Sequence, residues 1–497
     1  MKNRDILLDV IGETDETLVP ELTAGKKQKK RPRIMLTVIG TACAAAVIGG
    51  LFLIPRYRTP GSPGSGKNEY PARYADMLLA SAAYPDMPQY PEAPADENWD
   101  AYSVALETWQ AARSALRDQP EGYQEGFDVF FANSTPVFLN GAGSENRVYS
   151  PLSLYMALGM SAEITDGNTR QQILDVLAQK DLETLRTHAE SVWKANYADD
   201  GLAKCVLASS LWTNQLTDYR PKTLETLASV YYASVFSGDP KRDAYSKLMQ
   251  EWINQQTDGL LADYADGIRM DPEMLLTIAS TVNYSGKWSS QFDRTLTEAG
   301  AFHAPDGDVS CDFMHAEYET GYYCGEHFTA VGLDLDHNGQ MRLILPDEGI
   351  SPEDLLDDAQ VCEYLTQSQQ AASANERHAF VNMTVPKFDV SSGMNLEDGL
   401  KTLGITDIFE PDKADFSPLT ANAADAENVY LSKAEQDARV LIDEAGCKAA
   451  ALTVLEFACT GAPTEQYEFV LDRPFLFEII SDAGMPLFVG IVNNPAA

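Results

Sequence analysis

Basic residues are scarce in this chain. Among its 497 residues there are 37 Lys and Arg against 74 Asp and Glu, so the formal net charge at pH 7 is −37. Nucleic-acid binding needs a basic face that attracts phosphates, and this charge balance argues against it. The excess of carboxylates suits a well-solvated exterior and says nothing about the fold.

The sequence also lacks the short motifs of common enzyme classes. It has no P-loop, no G-x-G-x-x-G that opens a βαβ unit, no H-E-x-x-H and no G-x-S-x-G. The six histidines are dispersed, and none stands in a metal-ligand spacing. We therefore predict a protein that is not an enzyme and that has no catalytic residue, no metal site and no cofactor.

Closely spaced cysteines are absent as well. The seven cysteines are scattered, without a C-x-x-C pair or a zinc-type spacing. A chain of this length can bury a sizeable core without disulfides. We expect free, mostly buried thiols.

The basic residues that do cluster stand near the N-terminus. Residues 26–33 contain six of them, and an uncharged apolar run over residues 34–54 follows at once. At about 1.5 Å per residue, a helix of that length can cross a ~30 Å hydrocarbon core. The run therefore predicts a single-pass cell-membrane protein. Because the denser positive cluster precedes the run, the positive-inside rule places the N-terminal side in the cytoplasm. A cleaved signal peptide is the competing interpretation.

Composition then divides the chain into four parts. We predict a basic cytoplasmic tail over residues 1–33 and a transmembrane helix, acting as a signal-anchor, over 34–54. A tether and extracellular extension over 55–120 leads to a globular extracellular domain over 121–497. The tether is assigned from its Pro, Gly and Ser content.

The extension and the globular domain differ in their patterns. Residues 74–83 and 99–116 are compatible with helices, whereas 84–98 read as irregular. From about residue 122, helical stretches come mainly first and strand-like runs mainly last. This order indicates the α+β class, not alternating β-α-β units.

Ten segments of the globular domain stand in the order typical of one protein family. They are 146–153, which contains Ser150-Pro151-Leu152-Ser153, then 167–173, 252–259, 284–292, 343–346, 385–388, 403–409, 414–417, 473–477 and 487–495. Together they resemble the serpin family of serine protease inhibitors over about residues 120–497. The resemblance implies helices packed on large mixed and antiparallel sheets, with an exposed mobile reactive loop. With the predicted anchor, the chain looks like a bacterial-type serpin.

The resemblance places the serpin hinge within residues 444–454. The hinge residues are Glu444, Gly446, Cys447, Ala449, Ala450, Ala451 and Thr453. In a strand, alternate side chains share one face, and every second residue from Cys447 to Thr453 is small. A small, neutral face can enter a packed sheet, whereas each large residue would cost ~1–3 kcal/mol. We therefore predict a suicide inhibitor; the alternative is a non-inhibitory serpin acting as a surface binding protein.

The resemblance also locates the bond that a protease would attack. Counting from Glu444 gives Thr460–Gly461, with Cys459–Thr460 as the neighbouring choice. Either choice puts a small residue before the bond, which fits an elastase-like or subtilisin-like pocket. Phe457 keeps a chymotrypsin-like cut as a minor option. The implied partner is a serine protease held in a covalent complex, and we expect a monomer.

The family's sheet opens at two places called the shutter and the breach. Ser150 and Ser153 match the shutter serines, and Trp288 matches the breach tryptophan. Ser280 aligns with the family's shutter asparagine, and Gln436 aligns with its histidine. A serine and a glutamine can still form hydrogen bonds, but these departures leave the rate of sheet opening undetermined.

Overall fold

The structure, a computed structural model, describes most of the chain after residue 74. The described residues are 75–93, 99–272, 274, 276–337, 339–366, 375–422, 429–447 and 465–496. All of them belong to one compact unit. The predicted cytoplasmic tail and membrane helix lie outside the described residues.

Ten α-helices occur within the described residues, most of them in the first half. They are α1 (Trp99–Arg117), α2 (Phe127–Leu139), α3 (Pro151–Ile164), α4 (Gly167–Val176), α5 (Leu182–Asn196), α6 (Pro221–Val230), α7 (Asp243–Gln256), α8 (Ala262–Gly267), α9 (Ala359–Thr366) and α10 (Glu397–Leu403). Side-chain caps set several starts. The Ser150 hydroxyl accepts the Ser153 N–H at α3, and Asp181 accepts the Thr184 N–H at α5.

Seventeen strands occur within the same residues. They are β1 (Leu78–Ala80), β2 (Arg147–Tyr149), β3 (Ala198–Asp199), β4 (Lys204–Asn214), β5 (Ala233–Gly238), β6 (Leu276–Lys287), β7 (Glu298–Ala304), β8 (Gly307–Cys324), β9 (Phe328–Leu335), β10 (Gly339–Pro346), β11 (Glu376–Pro386), β12 (Phe388–Asn395), β13 (Glu435–Asp443), β14 (Gly446–Cys447), β15 (Gln466–Val470), β16 (Phe475–Ile480) and β17 (Pro486–Val492).

The strands form two sheets. The eight-stranded sheet has the order β1-β5-β4-β6-β14-β13-β12, with β3 added beside β4. The nine-stranded sheet has the order β15-β11-β8-β9-β10-β16-β17-β2, with β7 added beside β8. Only β4–β5 and β11–β15 pair in parallel among the described strands. The predicted α+β class is therefore confirmed.

The core lies where α3 passes between the two sheets. Thirteen of the fourteen α3 residues are buried, and the helix packs against both β6 and β17. Every residue of β16 and β17 is buried as well, which explains why both are apolar except for Glu478 of β16, whose carboxylate pairs with Arg342 at 3.1 Å. The Ser-Pro-Leu-Ser motif at the start of α3 is thereby fixed beneath the eight-stranded sheet.

The structure corrects the sequence prediction for residues 74–83. Part of this segment is the strand β1, not a helix. It lies antiparallel at the edge of the eight-stranded sheet, where Leu78 faces Phe236 of β5. The Ser237 N–H also donates to the Met77 carbonyl at 2.7 Å. The edge of β5 offers backbone partners that a helix could not use, so tertiary pairing overrides local helix propensity.

The predicted helix over residues 99–116 is confirmed as α1, and it contacts the globular domain. The Trp109 indole N–H donates to Asp200 at 2.9 Å, and the Arg113 guanidinium pairs with the same carboxylate at 3.0 Å. Arg113 also donates to the His337 carbonyl at 2.8 Å. Trp109 and Arg113 are buried, so the face of α1 that carries them is fixed against the globular domain.

A transmembrane helix is not found among the described residues. The longest of their helices, α1, has 19 residues and four charged side chains, while the apolar α2 and α3 are short. None has the length and apolar character to cross a bilayer. The predicted span at residues 34–54 lies outside the described residues.

Candidate functional site

The predicted hinge begins inside the eight-stranded sheet. After β13 the chain makes a two-residue turn at Glu444 and Ala445 and returns as β14. This short strand pairs antiparallel with β13, where Ile442 faces Cys447, and with β6, where Gly286 faces Cys447. Cys447 is 6% exposed, between these two neighbours. Two hinge residues thus occupy a place in the sheet.

Gly446 is required where the hinge enters the sheet. Its φ is +139°, and an added Cβ would lie 2.4 Å from the Gly286 carbonyl oxygen. That contact is with backbone, which cannot rotate away. A side chain here would force β14 away from β6.

A buried carboxylate anchors the turn before the hinge. Glu444 pairs with Lys387 at 3.2 Å and accepts the Thr297 hydroxyl at 2.9 Å. Burial would raise the pKa of Glu444. The hydrogen bonds from its own backbone N–H, from Thr297 and from Lys387, with the Lys387 charge, outweigh that effect and hold the pKa below its usual value. The carboxylate is thus stabilised in its charged form.

Trp288 fixes the same turn from the other side. Its indole N–H donates to the Asp443 carbonyl at 2.9 Å, and its backbone N–H donates to the Ala445 carbonyl at 3.2 Å. Its side chain is 3% exposed. The predicted breach residue therefore touches the end of β13 and the turn that leads to β14.

Beyond β14, the two flanking strands contact each other but are not joined by a ladder in the part of the chain that the structure describes. Within the described residues β6 pairs with β4 and β14, and β13 pairs with β12 and β14, but no ladder joins β6 to β13. A cavity of about 10 Å³ lies between them at the level of Ser280 and Gln436. This boundary between β6 and β13, called the slot below, has the direction of a continued β14.

Two of the predicted shutter residues are joined by a pair of hydrogen bonds. The Ser150 N–H donates to the Gln436 side-chain oxygen at 2.8 Å, and the Gln436 amide donates to the Ser150 carbonyl at 3.0 Å. The Ser150 hydroxyl also donates to the Leu487 carbonyl at 2.8 Å. Gln436 is 6% exposed. These bonds tie β13 to the start of α3.

The other two shutter residues meet on β6. The Ser153 hydroxyl donates to the Ser280 hydroxyl at 3.1 Å, and Ser280 lies 3.1 Å from the Ser209 hydroxyl of β4. The structure therefore brings together all four predicted shutter residues around α3. Ser209 was missed, because it occurs in β4 with no motif around it.

The opposite face of β13 contacts the segment after α7. The Arg439 side chain donates to the Leu260 carbonyl at 3.1 Å and pairs with Asp389 at 2.6 Å. Asp437 lies beside Tyr264 of α8, which donates a hydrogen bond to it. Burial raises the pKa of Asp437 to about 6, and the Tyr264 bond partly opposes that rise. Widening the slot must disturb these contacts.

The remaining predicted site residues lie outside the described residues. They are Ala449, Ala450, Ala451, Thr453, Cys459, Thr460 and Gly461. Among the cysteines that the structure describes, Cys205, Cys311, Cys324 and Cys362 are free thiols, and Cys205 and Cys447 are buried. The described residues contain no group of three His, Cys, Asp or Glu side chains placed to hold a metal ion.

Comparison with known proteins gives a consistent result. Residues 133–495 match a family model described as serpin (serine protease inhibitor). The chain is 28% identical to Serpin-Z2B of Triticum aestivum over 70% of this chain and 90% of that protein. It is 27% identical to the plasma serine protease inhibitor of Mus musculus, over 71% and 85% respectively.

A solved structure shows the same fold. The thermophilic serpin tengpin in its native state superposes with a TM-score of 0.65 at 25% identity, covering 76% of this chain and 95% of that one. The same protein has also been solved in a latent state, with a TM-score of 0.63.

These comparisons correct the predicted localisation. Relatives from wheat and mouse do not support a bacterial-type protein with an N-terminal membrane anchor, and the described residues contain no helix able to span a membrane. The prediction of a single-pass cell-membrane protein with an extracellular domain is therefore wrong. Length and hydropathy identify a run that is able to span a bilayer, but they do not establish that it does so.

Proposed function

This chain belongs to the serpin family of serine protease inhibitors, and on that premise we propose that it traps its target protease by inserting its reactive loop into the eight-stranded sheet. One observation carries the proposal. β14 occupies the entrance between β6 and β13, and those strands form no ladder beyond it in the described residues. A slot with two backbone edges is what an inserting strand requires.

The proposed reaction starts at the reactive bond. The target's serine Oγ attacks the carbonyl carbon of Thr460, or of Cys459 in the neighbouring register. The bond to the next residue breaks, the new amino terminus leaves, and an ester joins the inhibitor to the protease. The freed hinge then continues β14 between β6 and β13, carrying the attached protease with it. This chain supplies no catalytic group.

Backbone hydrogen bonding supplies the driving force. Each ladder bond formed on insertion contributes roughly 0.5–1.5 kcal/mol net, and alternate small residues avoid steric cost on the buried face. The small residue before the reactive bond favours an elastase-like or subtilisin-like target. A monomer is sufficient for this mechanism, because slot and loop belong to one chain.

The decisive experiment is incubation with an elastase-like protease followed by denaturing electrophoresis. We expect a covalent band whose mass is that of the protease plus that of the inhibitor without its released C-terminal peptide. Mass spectrometry of that peptide assigns the bond to Thr460–Gly461 or Cys459–Thr460. Cleavage without a covalent band would instead indicate the non-inhibitory alternative.

Two variants separate trapping from simple cleavage. Ala451→Arg places a charge on the face with Cys447, which insertion would bury. Ala450→Arg places the same charge on the opposite face and is the matched control. We expect Ala451→Arg to be cleaved without trapping, whereas Ala450→Arg still traps. Equal trapping by both variants would contradict the insertion mechanism.

A further inference from the structure

A cavity on the helical side of the molecule has a lining in which most of the charged residues are basic. It measures about 500 Å³ and lies where α3 ends and where α4, α5 and α6 begin. Its charged lining residues are Glu163, Asp166, Arg170, Arg186, Arg220 and Lys222. The whole chain has twice as many acidic as basic residues, whereas this cavity has the reverse ratio.

Both carboxylates of the cavity already have cationic partners. Glu163 is 4% exposed and accepts two bonds from Arg186, at 2.7 and 2.6 Å. Asp166 accepts the Gly167 N–H at 2.9 Å and pairs with Arg170 at 3.0 Å. These pairs balance two of the four basic side chains.

The other two basic side chains form no ion pair with a carboxylate among the residues that the structure describes. Arg220 donates from Nε to the neutral Thr420 carbonyl at 2.6 Å. Lys222 forms no ion pair with any of the residues that the structure describes. Within the described part of the chain, the positive charges of Arg220 and Lys222, both at the start of α6, therefore have no carboxylate partner.

The local helix adds to this positive charge. Arg220 is the N-cap of α6, Pro221 follows it, and no side chain caps the first turn. Helix N-termini carry a partial positive charge and usually attract Asp, Ser or Thr, not cations. Two cations at such an end are unfavourable unless an anion lies near them. The helix end supports the cation cluster and would not identify a site alone.

We infer that this cavity binds a small multivalent oxyanion, a phosphate or sulfate group held by Arg220 and Lys222. Guanidinium and ammonium groups bind such oxygens through charge-assisted hydrogen bonds. Ser417 also lines the cavity, and its hydroxyl group is a further hydrogen-bond donor for such an anion. The site is separate from the hinge and does not depend on protease trapping.

Calorimetric titration of the full chain with inorganic pyrophosphate tests the inference. We expect saturable binding of one anion per chain. Lys222→Gln should weaken it at least tenfold, and Lys222→Arg should restore most of it. Lys247→Gln removes an exposed lysine of α7 and is the matched control, with binding unchanged. Because Lys222 is exposed, its variants should keep the wild-type unfolding midpoint without anion.

Parallel titrations with sulfate and with chloride at equal ionic strength separate recognition from screening. Saturable binding of sulfate, without saturable binding of chloride, would show that the site also binds sulfate groups. Chloride producing the same heats as pyrophosphate would overturn the inference, because the effect would then be general screening. Unchanged pyrophosphate binding by Lys222→Gln would overturn it as well.

Discussion

At the scale of single residues, the turn before the hinge depends on one ion pair. Lys387→Met would leave the Glu444 carboxylate buried with only hydroxyl and backbone donors. A charged group that loses its partner in a buried position costs about 1–3 kcal/mol. We therefore expect the free energy of unfolding to fall by that amount, measured by urea denaturation.

A second lysine provides the control for this prediction. Lys433 pairs with Glu435, but its side chain is 69% exposed. Lys433→Met should change the free energy of unfolding by less than about 0.5 kcal/mol. Equal losses in the two variants would show that Glu444 is not held by Lys387 in the way the structure indicates.

Asp437 gives the protein a predictable pH dependence. Its pKa is about 6 in the folded protein and near 4 in an unfolded chain. The folded state therefore binds this proton more tightly. The resulting stability is fully present below about pH 4 and is lost as the pH rises through 6. Charged Asp437 is thus a source of destabilisation at neutral pH.

Asp437→Asn should remove this dependence, because an amide does not titrate here. Relative to Asp437→Asn, the wild-type free energy of unfolding should fall between pH 4 and pH 7. The loss should be on the order of 1 kcal/mol after allowance for solvent screening. Tyr264→Phe removes the bond that lowers the Asp437 pKa, so its transition should move to higher pH. If the unfolding free energies of the wild-type and Asp437→Asn proteins changed in parallel with pH, this assignment would be contradicted.

At the scale of elements, α1 is held by one face only. Trp109 is 5% exposed and bonds to Asp200, whereas Trp99, at the start of the same helix, is 57% exposed. Trp109→Ala should lower the free energy of unfolding by about 3–5 kcal/mol. Trp99→Ala removes the same side chain from the exposed position and should change it by less than about 0.5 kcal/mol. Denaturant unfolding measures both effects, as a shift of the midpoint with an unchanged dependence of the unfolding free energy on denaturant concentration.

The elements also show where sequence patterns succeed. The start of α3 is set by Ser150 and Pro151, and β16 is apolar except for Glu478 and rich in strand-forming residues, so both were predictable. Residues 74–83 were not, because their strand exists only where β5 offers an unpaired edge. Local propensity was outweighed there by backbone pairing that only the folded domain provides.

At the scale of the whole molecule, the proposed insertion requires a native state that is not the most stable arrangement of the chain. Cleavage of the loop within residues 448–464, by a protease that is not trapped, should allow the new strand to fill the slot between β6 and β13. We expect the midpoint of thermal unfolding to rise by more than about 10 °C, because many ladder bonds form together. Calorimetry of intact and cleaved protein measures the shift.

The charged hinge variant is the control for that experiment. Ala451→Arg should be cleaved equally but gain less thermal stability, since insertion would bury its guanidinium. A cleaved wild-type protein that unfolds at the intact midpoint would contradict insertion, even if a covalent protease complex had formed.

The sequence alone determined the family, the fold class and the small side chains of the hinge face, because ordered motifs, element order and strand alternation are local properties. It also named Ser150, Ser153, Ser280 and Gln436 as one group. Only the tertiary structure decided how they meet: paired bonds between Gln436 and Ser150, and Ser280 bridging Ser153 and Ser209. The surroundings of Lys387 and Lys222 were likewise decided by the tertiary structure, because packing brings residues that are distant in the sequence close to each of them.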